Sequence, residues 1–174
     1  MNDAERSVQE SATGPDVTAE RGLSDVTAGQ AAERGLSDVT AGQAAESGMT
    51  VRREVLGDAH VDRAVASTTG FTAPFQDLIT RYAWGEIWSR PGLTRAERSM
   101  ITLTALAVLR QDEELALHTR AALRNGLTPE QIGEVLLQVA VYAGVPASNR
   151  AFAIAQRVLA ETETAAADGP ADHT

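Results

Sequence analysis

Glu114 and His118, four residues apart in QDEELALH (111–118), are the pair in this sequence best placed to do chemistry. On a helix they stand one turn apart, so their side chains can touch. An imidazole with an unperturbed pKa of about 6.5 holds and releases a proton near neutrality, and a neighbouring carboxylate can fix its tautomer and favour its charged form. The chemistry within reach is general acid–base catalysis. Both residues also have plainer readings. A lone helical histidine is commonly packed or on the surface, and Asp112, Glu113 and Glu114 together complement the dipole at a helix start in any protein. Of the other histidines, His60 in GDAHVDRA reads as structural, and His173 lies in the C-terminal tail.

A second group lies in RYAWGEIW. With α-helical spacing, Arg81, Trp84 and Trp88 share a face separate from the Phe75, Leu78, Ile79 and Tyr82 stripe. That face is either a subunit contact, where Trp and Arg are enriched, or a pocket wall with an arginine fork for a carboxylate. Arg98 is another candidate carboxylate clamp and equally a surface arginine in a capping turn. Arg120, two residues beyond His118, points to the other side of its helix. Gly85 in mid-helix costs about 1 kcal/mol relative to alanine, which implies that a ligand or a neighbouring helix approaches the backbone there.

The composition removes several alternatives. Cysteine is absent and every basic side chain is arginine, which excludes thiol redox chemistry, thiolate metal sites and lysine Schiff bases in this chain. The net charge of −9 over 174 residues is unevenly spread. Residues 1–48 carry nine acidic and three basic residues, and residues 161–174 four acidic and none basic, so the middle is close to neutral. A basic nucleic-acid footprint is missing. With no apolar run of membrane-spanning length and no signal-peptide pattern, the expectation is a cytoplasmic protein without membrane partners.

The elements that must position these residues are helices. ERGLSDVTAGQAA occurs twice in tandem, at 20–32 and 33–45, too short and too polar to bury a core. Residues 1–48 are therefore expected to be a disordered leader, residues 49–162 the domain and residues 163–174 a disordered tail. All seven aromatics fall between 71 and 152, which places the expected core there. Thr50 is expected to cap VRREVL, which stops at Gly57, and a short helix through HVDRAVAS follows. Thr72 and Pro74 open a longer helix closed by Pro91 and Gly92. Thr94 with Glu97, and Thr128 with Gln131, make capping boxes. The fold class is all-α, with about six helices. The helix after Thr128 has one apolar stripe through Ile132, Val135, Leu136, Val139, Ala140 and Ala143, and a second face with Leu137 and Val141. Helix 100–109 is apolar nearly all round. So much apolar surface on roughly 110 residues predicts a homo-oligomer.

The run ITLTALAVLRQDEELALHTRAALRNGLTPEQIGEVL resembles the helical hairpin of the alkylhydroperoxidase D and carboxymuconolactone decarboxylase superfamily. Its redox branch has Cys-x-x-Cys where this chain has Gln111 and Glu114, keeps the histidine at His118, and has a glutamate at about Ser99. VRREVLGDAHVDRA, RYAWGEIWSRPGL, QDEELALHTRAALRNG and YAGVPASNRAF narrow the resemblance to the carboxymuconolactone decarboxylases, over about residues 50–160. The resemblance implies decarboxylation of a small lactone dicarboxylate, 4-carboxymuconolactone, to the 3-oxoadipate enol-lactone in the protocatechuate branch of the β-ketoadipate pathway. It also implies a trimer-based or hexameric assembly and no cofactor, because the conjugated lactone carbonyl is the electron sink. His118 would be the acid, Glu114 its orienting partner, and Arg81, Trp84, Trp88 and Arg98 substrate-binding residues. A redox enzyme of the same fold lacks its cysteines here. A non-catalytic assembly protein, or an isomerase or lactonase using the same histidine, are the remaining rivals.

Overall fold

A computed structural model of the protein describes residues 42–167. The expected leader up to residue 41 and the tail from 168 lie outside the described residues. Within them α1 (42–56) leads into α2 (Asp58–Ala66), α3 (Ala73–Ile79) and a π-helical segment (Thr80–Trp88) that continues α3. Then come α4 (Arg95–Leu109), α5 (Asp112–Arg124), α6 (Pro129–Ala143) and α7 (Val145–Ala167). Among the described residues there is no strand.

Punctuation follows local chemistry. The capping boxes at Thr94/Glu97 and Thr128/Gln131 are both complete, each satisfying two otherwise orphaned N–H groups. Gly57 and Gly144 end their helices near φ 89°, ψ 147° and φ 88°, ψ 152°, a region essentially reserved for glycine. Thr50 does not cap a helix. It lies inside α1, and its hydroxyl donates to the Glu46 carbonyl at 3.1 Å. Helix α1 therefore lies partly before the expected domain start, taking in the GQAA end of the second repeat, and α7 runs past residue 162 into the expected tail. Close packing explains the early start. A Cβ on Gly48 would run into the Thr80 carbonyl and one on Gly85 into the Ala44 carbonyl, so α1 crosses the π-helix backbone to backbone. The neighbour implied by Gly85 is a helix.

Two cores result. Leu103, Ala107, Leu115, Ala122, Leu127, Ile132, Leu136, Val139, Ala151 and Ala155 pack α4 to α7 together. Val55, Leu56, Val61, Trp84 and Ala121 pack α1, α2 and the π-helix onto the other face of α5. The aromatics do not mark the core. Phe71, Phe75, Tyr82 and Tyr142 are exposed, and Trp84 alone among the seven is fully buried, because aliphatic side chains fill both interiors. On α6, Ile132, Leu136 and Val139 face inward while Leu137 and Val141 stay exposed, as do Ile101, Val108 and Leu109 on α4.

Candidate functional site

The second core adjoins buried and half-buried groups that can carry charge. Arg52 of α1 is 5 % exposed, and its Nη1 donates to Thr80 Oγ1 over 3.4 Å. Its Nε has no partner. Burial pulls its guanidinium pKa down. From α2, His60 reaches the same region. Burial lowers its pKa, the Arg52 and Arg63 charges lower it further, and Glu114 opposes them. His118 of α5 is mostly buried and lowered to about 4, first by burial and then by the charge of His60. Four segments, α1, α2, the π-helix and α5, thus converge on Arg52, Thr80, His60 and His118.

Beside this cluster lies a cleft of about 480 Å³ between the α1–α2 junction and α5. Its wall includes His60, Leu117 and Glu114, with Arg63, Arg120 and Arg124 among its cations and Asp58 and Glu113 among its anions. Arg120 is already paired with Glu161 of α7. Leu117 belongs to this wall and also packs against the core that holds Trp84, so cleft and buried cluster adjoin. Among the described residues no group of three or more His, Asp and Glu is placed to hold a metal ion.

The expected site residues separate. No hydrogen bond joins Glu114 to His118 among the described residues. Glu114 is exposed at the cleft, where its charge acts on His60, and the charge of His60 acts in turn on His118. His118 is biased toward the neutral imidazole, opposite to the shift a carboxylate partner would give. Asp112 does more than complement the helix dipole. Its carboxylate accepts from Arg150 Nε at 2.8 Å, tying the start of α5 to α7, and this bond holds its pKa below the usual carboxylate range.

Arg81, Trp84 and Trp88 do not share a face, because the segment is π-helical and not α-helical. With i→i+5 bonding a turn takes more than four residues, so Thr80, Trp84 and Trp88 stack and Arg81 is displaced. Trp84 and Trp88 lie with ring centroids 5.2 Å apart. Arg81 is bonded to Asp77, with Nη2 2.7 Å from Oδ2. Arg98 donates to the Arg90 carbonyl at 2.9 Å, and its buried Nε is unpartnered. Ser99, at the position of the redox glutamate, is buried and accepts from Asn125 Nδ2 at 2.9 Å.

Arg52 was not singled out by sequence, and His60 was read there as structural. Arg52 sits in an Arg-Arg pair that looks like surface, and the only signal was the apolar i+3 and i+4 neighbours Val55 and Leu56, which place it on the inward face.

Residues 73–157 match the carboxymuconolactone decarboxylase family. The chain is 46 % identical over 110 residues to a 4-carboxymuconolactone decarboxylase of Acinetobacter baylyi, covering 63 % of this chain and 82 % of that protein. It is 44 % identical over 109 residues to the nitrosuccinic acid decarboxylase npaB of Metarhizium robertsii, covering 63 % and 76 %. A 4-carboxymuconolactone decarboxylase of Pseudomonas putida is 55 % identical over 38 residues, 22 % of this chain and 79 % of that sequence.

Proposed function

We propose, from the premise that this chain belongs to the carboxymuconolactone decarboxylase family, that it decarboxylates 4-carboxymuconolactone to the 3-oxoadipate enol-lactone, a step of the β-ketoadipate pathway. The observation that carries this reading is the 46 % identity spanning 82 % of the Acinetobacter decarboxylase. The site's chemistry agrees with it. Breaking the bond to the reacting carboxylate releases carbon dioxide and leaves the electron pair on the lactone ring. The ring double bond passes that pair to the lactone carbonyl oxygen, and a proton delivered to ring carbon completes the enol-lactone. The protein needs to hold a dianion, shield the oxyanion and supply one proton.

His118 is the proposed acid, with His60 beside it. Burial keeps His118 neutral at neutral pH. A bound dicarboxylate brings negative charge next to both imidazoles and favours their protonated forms. Proton uptake therefore accompanies substrate binding, and the acid is charged when the dienolate forms. Glu114 acts on His60 in this scheme, Trp84 and Trp88 wall the site, and Arg98 and Arg81 lie farther out, held by Arg90 and Asp77. The substrate is its own electron sink, so the scheme requires no cofactor.

A second substrate is favoured by the Metarhizium relative. In nitrosuccinic acid a nitro group offers the same kind of acceptor, and the diacid would meet the same cations. The exposed Phe71, Tyr142, Val141 and Leu137 support a homo-oligomer, trimer-based or hexameric, which light scattering would test. Among the described residues no helix is long and apolar enough to cross a membrane. The deciding experiment incubates the purified chain with 4-carboxymuconolactone while carbon dioxide release and substrate absorbance are followed. Turnover is expected. Its absence in an assembled, folded sample, with nitrosuccinate also untouched, overturns the decarboxylase reading.

A further inference from the structure

Arg52 is the one arginine among the described residues that is fully buried, and it has no carboxylate partner. Arg53, Arg81, Arg95, Arg120, Arg150 and Arg157 each form an ion pair, and the other arginines without one are exposed or, like Arg98 with its own unpartnered Nε, half-buried. Nearby carboxylates are engaged elsewhere, Glu54 by Arg95, and Asp58 and Asp62 by Arg53. Arg52 is left with the 3.4 Å bond to Thr80 and an orphaned Nε. A guanidinium stays protonated at any ordinary pH, and an unpaired buried charge is among the costliest features a fold can carry. A fold that retains one has its counter-charge arriving from outside.

The surroundings identify what arrives. Thr80 is buried at the start of the π-helix, where the widened turn stacks it with Trp84, and its hydroxyl can donate to an anion that also meets the Arg52 fork. His60 lies close enough for the Arg52 charge to act on it, and it opens onto the 480 Å³ cleft. We propose that Arg52, with Thr80, anchors the carboxylate that the substrate keeps, the one on the carboxymethyl arm of the lactone. This assignment rests on the decarboxylase reading.

Electrostatics selects the retained carboxylate. The departing one loses its charge as carbon dioxide forms, so a cation fixed upon it would stabilise the ground state more than the transition state and slow the reaction. The retained one keeps its charge throughout. A cation there contributes equally to both states, which shows in KM more than in kcat, and it orients the ring toward His118.

The test uses the full chain, Arg52→Met and Arg52→Lys. Calorimetry measures binding of the ring-saturated lactone diacid, which lacks the electron sink and does not react, and of the monoacid missing the carboxymethyl carboxylate. Wild type is expected to prefer the diacid at least about tenfold, and Arg52→Met to lose that preference. KM for 4-carboxymuconolactone should rise at least about tenfold in Arg52→Met while kcat stays within about fivefold. Arg52→Lys, which keeps charge but loses the fork, should fall between. Without ligand, Arg52→Met should melt no lower than wild type, because an unpaired buried charge has been removed. A diacid preference that survives in Arg52→Met overturns the proposal. So does a change in assembly mass with binding unchanged, which would assign the counter-charge to a neighbouring copy. Diacid binding without any turnover of 4-carboxymuconolactone would fail the decarboxylase reading and leave the anchor standing.

Discussion

The two faces of α5 are built from one run of thirteen residues and obey opposite rules. Leu115 and Ala122 face α4, α6 and α7, where the buried Thr119 and Ser148 hydroxyls are satisfied within the fold. There Thr119 returns its hydroxyl to the Leu115 carbonyl at 2.8 Å, and Ser148 donates to the Leu136 carbonyl at 2.7 Å. Leu117 and Ala121 face α1, α2 and the π-helix, where Arg52 is buried without a carboxylate and burial lowers the proton affinity of both histidines, helped at His60 by Arg52 and Arg63 and at His118 by His60. The first face is what remains when a fold is optimised for stability. The second keeps a buried guanidinium with an unpartnered Nε, the cost that the proposed ligand would offset. Unsatisfied charge, placed opposite a satisfied core on the same helix, locates the site better than any pocket alone.

The comparison breaks first at His118. His118→Ala should lower kcat by about 10²- to 10⁴-fold, the usual contribution of a positioned acid, with the melting temperature unchanged or raised. A loss smaller than about tenfold in steady-state kinetics removes His118 as the acid. Leu115→Ala, one turn earlier and inside the core that α5 shares with α4, α6 and α7, should do the reverse. Removing a fully buried leucine costs about 2–5 kcal/mol in denaturant unfolding, while kcat of the folded fraction stays within about twofold of wild type. If the two variants share one phenotype, α5 is not divided as described.

Titration sharpens the same contrast. Folding moves His118 from 6.5 to about 4, so between these values the unfolded chain holds a proton that the folded chain lacks. Stability is therefore complete above pH 6.5 and declines as pH falls toward 4, by up to about 3 kcal/mol at 1.36 kcal/mol per unit, less what partial exposure screens. His60, lowered as well, acts in the same direction. His118→Gln should flatten the slope of unfolding free energy against pH across this window. A slope identical to wild type would mean that His118 is solvated in the folded protein.

The bundle face was legible in the sequence because its signals are local. The capping boxes, the Ile132–Val139 stripe and the helix-ending glycines each report on neighbours a turn away, and all are present. The site face depends on relations that spacing does not encode. Arg81, Trp84 and Trp88 align only in an α-helix, and the backbone there is π-helical, with α1 crossing close to Gly85. Arg52 and Arg53 are adjacent and chemically identical, yet one is buried and the other bound to two aspartates. His60 became notable only when α2 folded it toward His118, which no count of residues within QDEELALH could show.

The smallest expected effect concerns where the site face begins. A chain starting at residue 42 keeps all of α1, including the Gly48–Thr80 and Ala44–Gly85 approaches, and should match the full chain in kcat, KM and melting temperature. Starting at residue 49 removes both approaches. The π-helix then loses the neighbour that forbids a side chain at Gly85, and Thr80 and Trp84 lose the support that sets them against Arg52. That shorter chain should bind diacid more weakly and melt lower, while the α4–α7 bundle keeps its helical circular dichroism. Equal behaviour of the two truncations would show that α1 before residue 49 does not hold the site. A loss of activity in the longer one would give residues 1–41 a part in it.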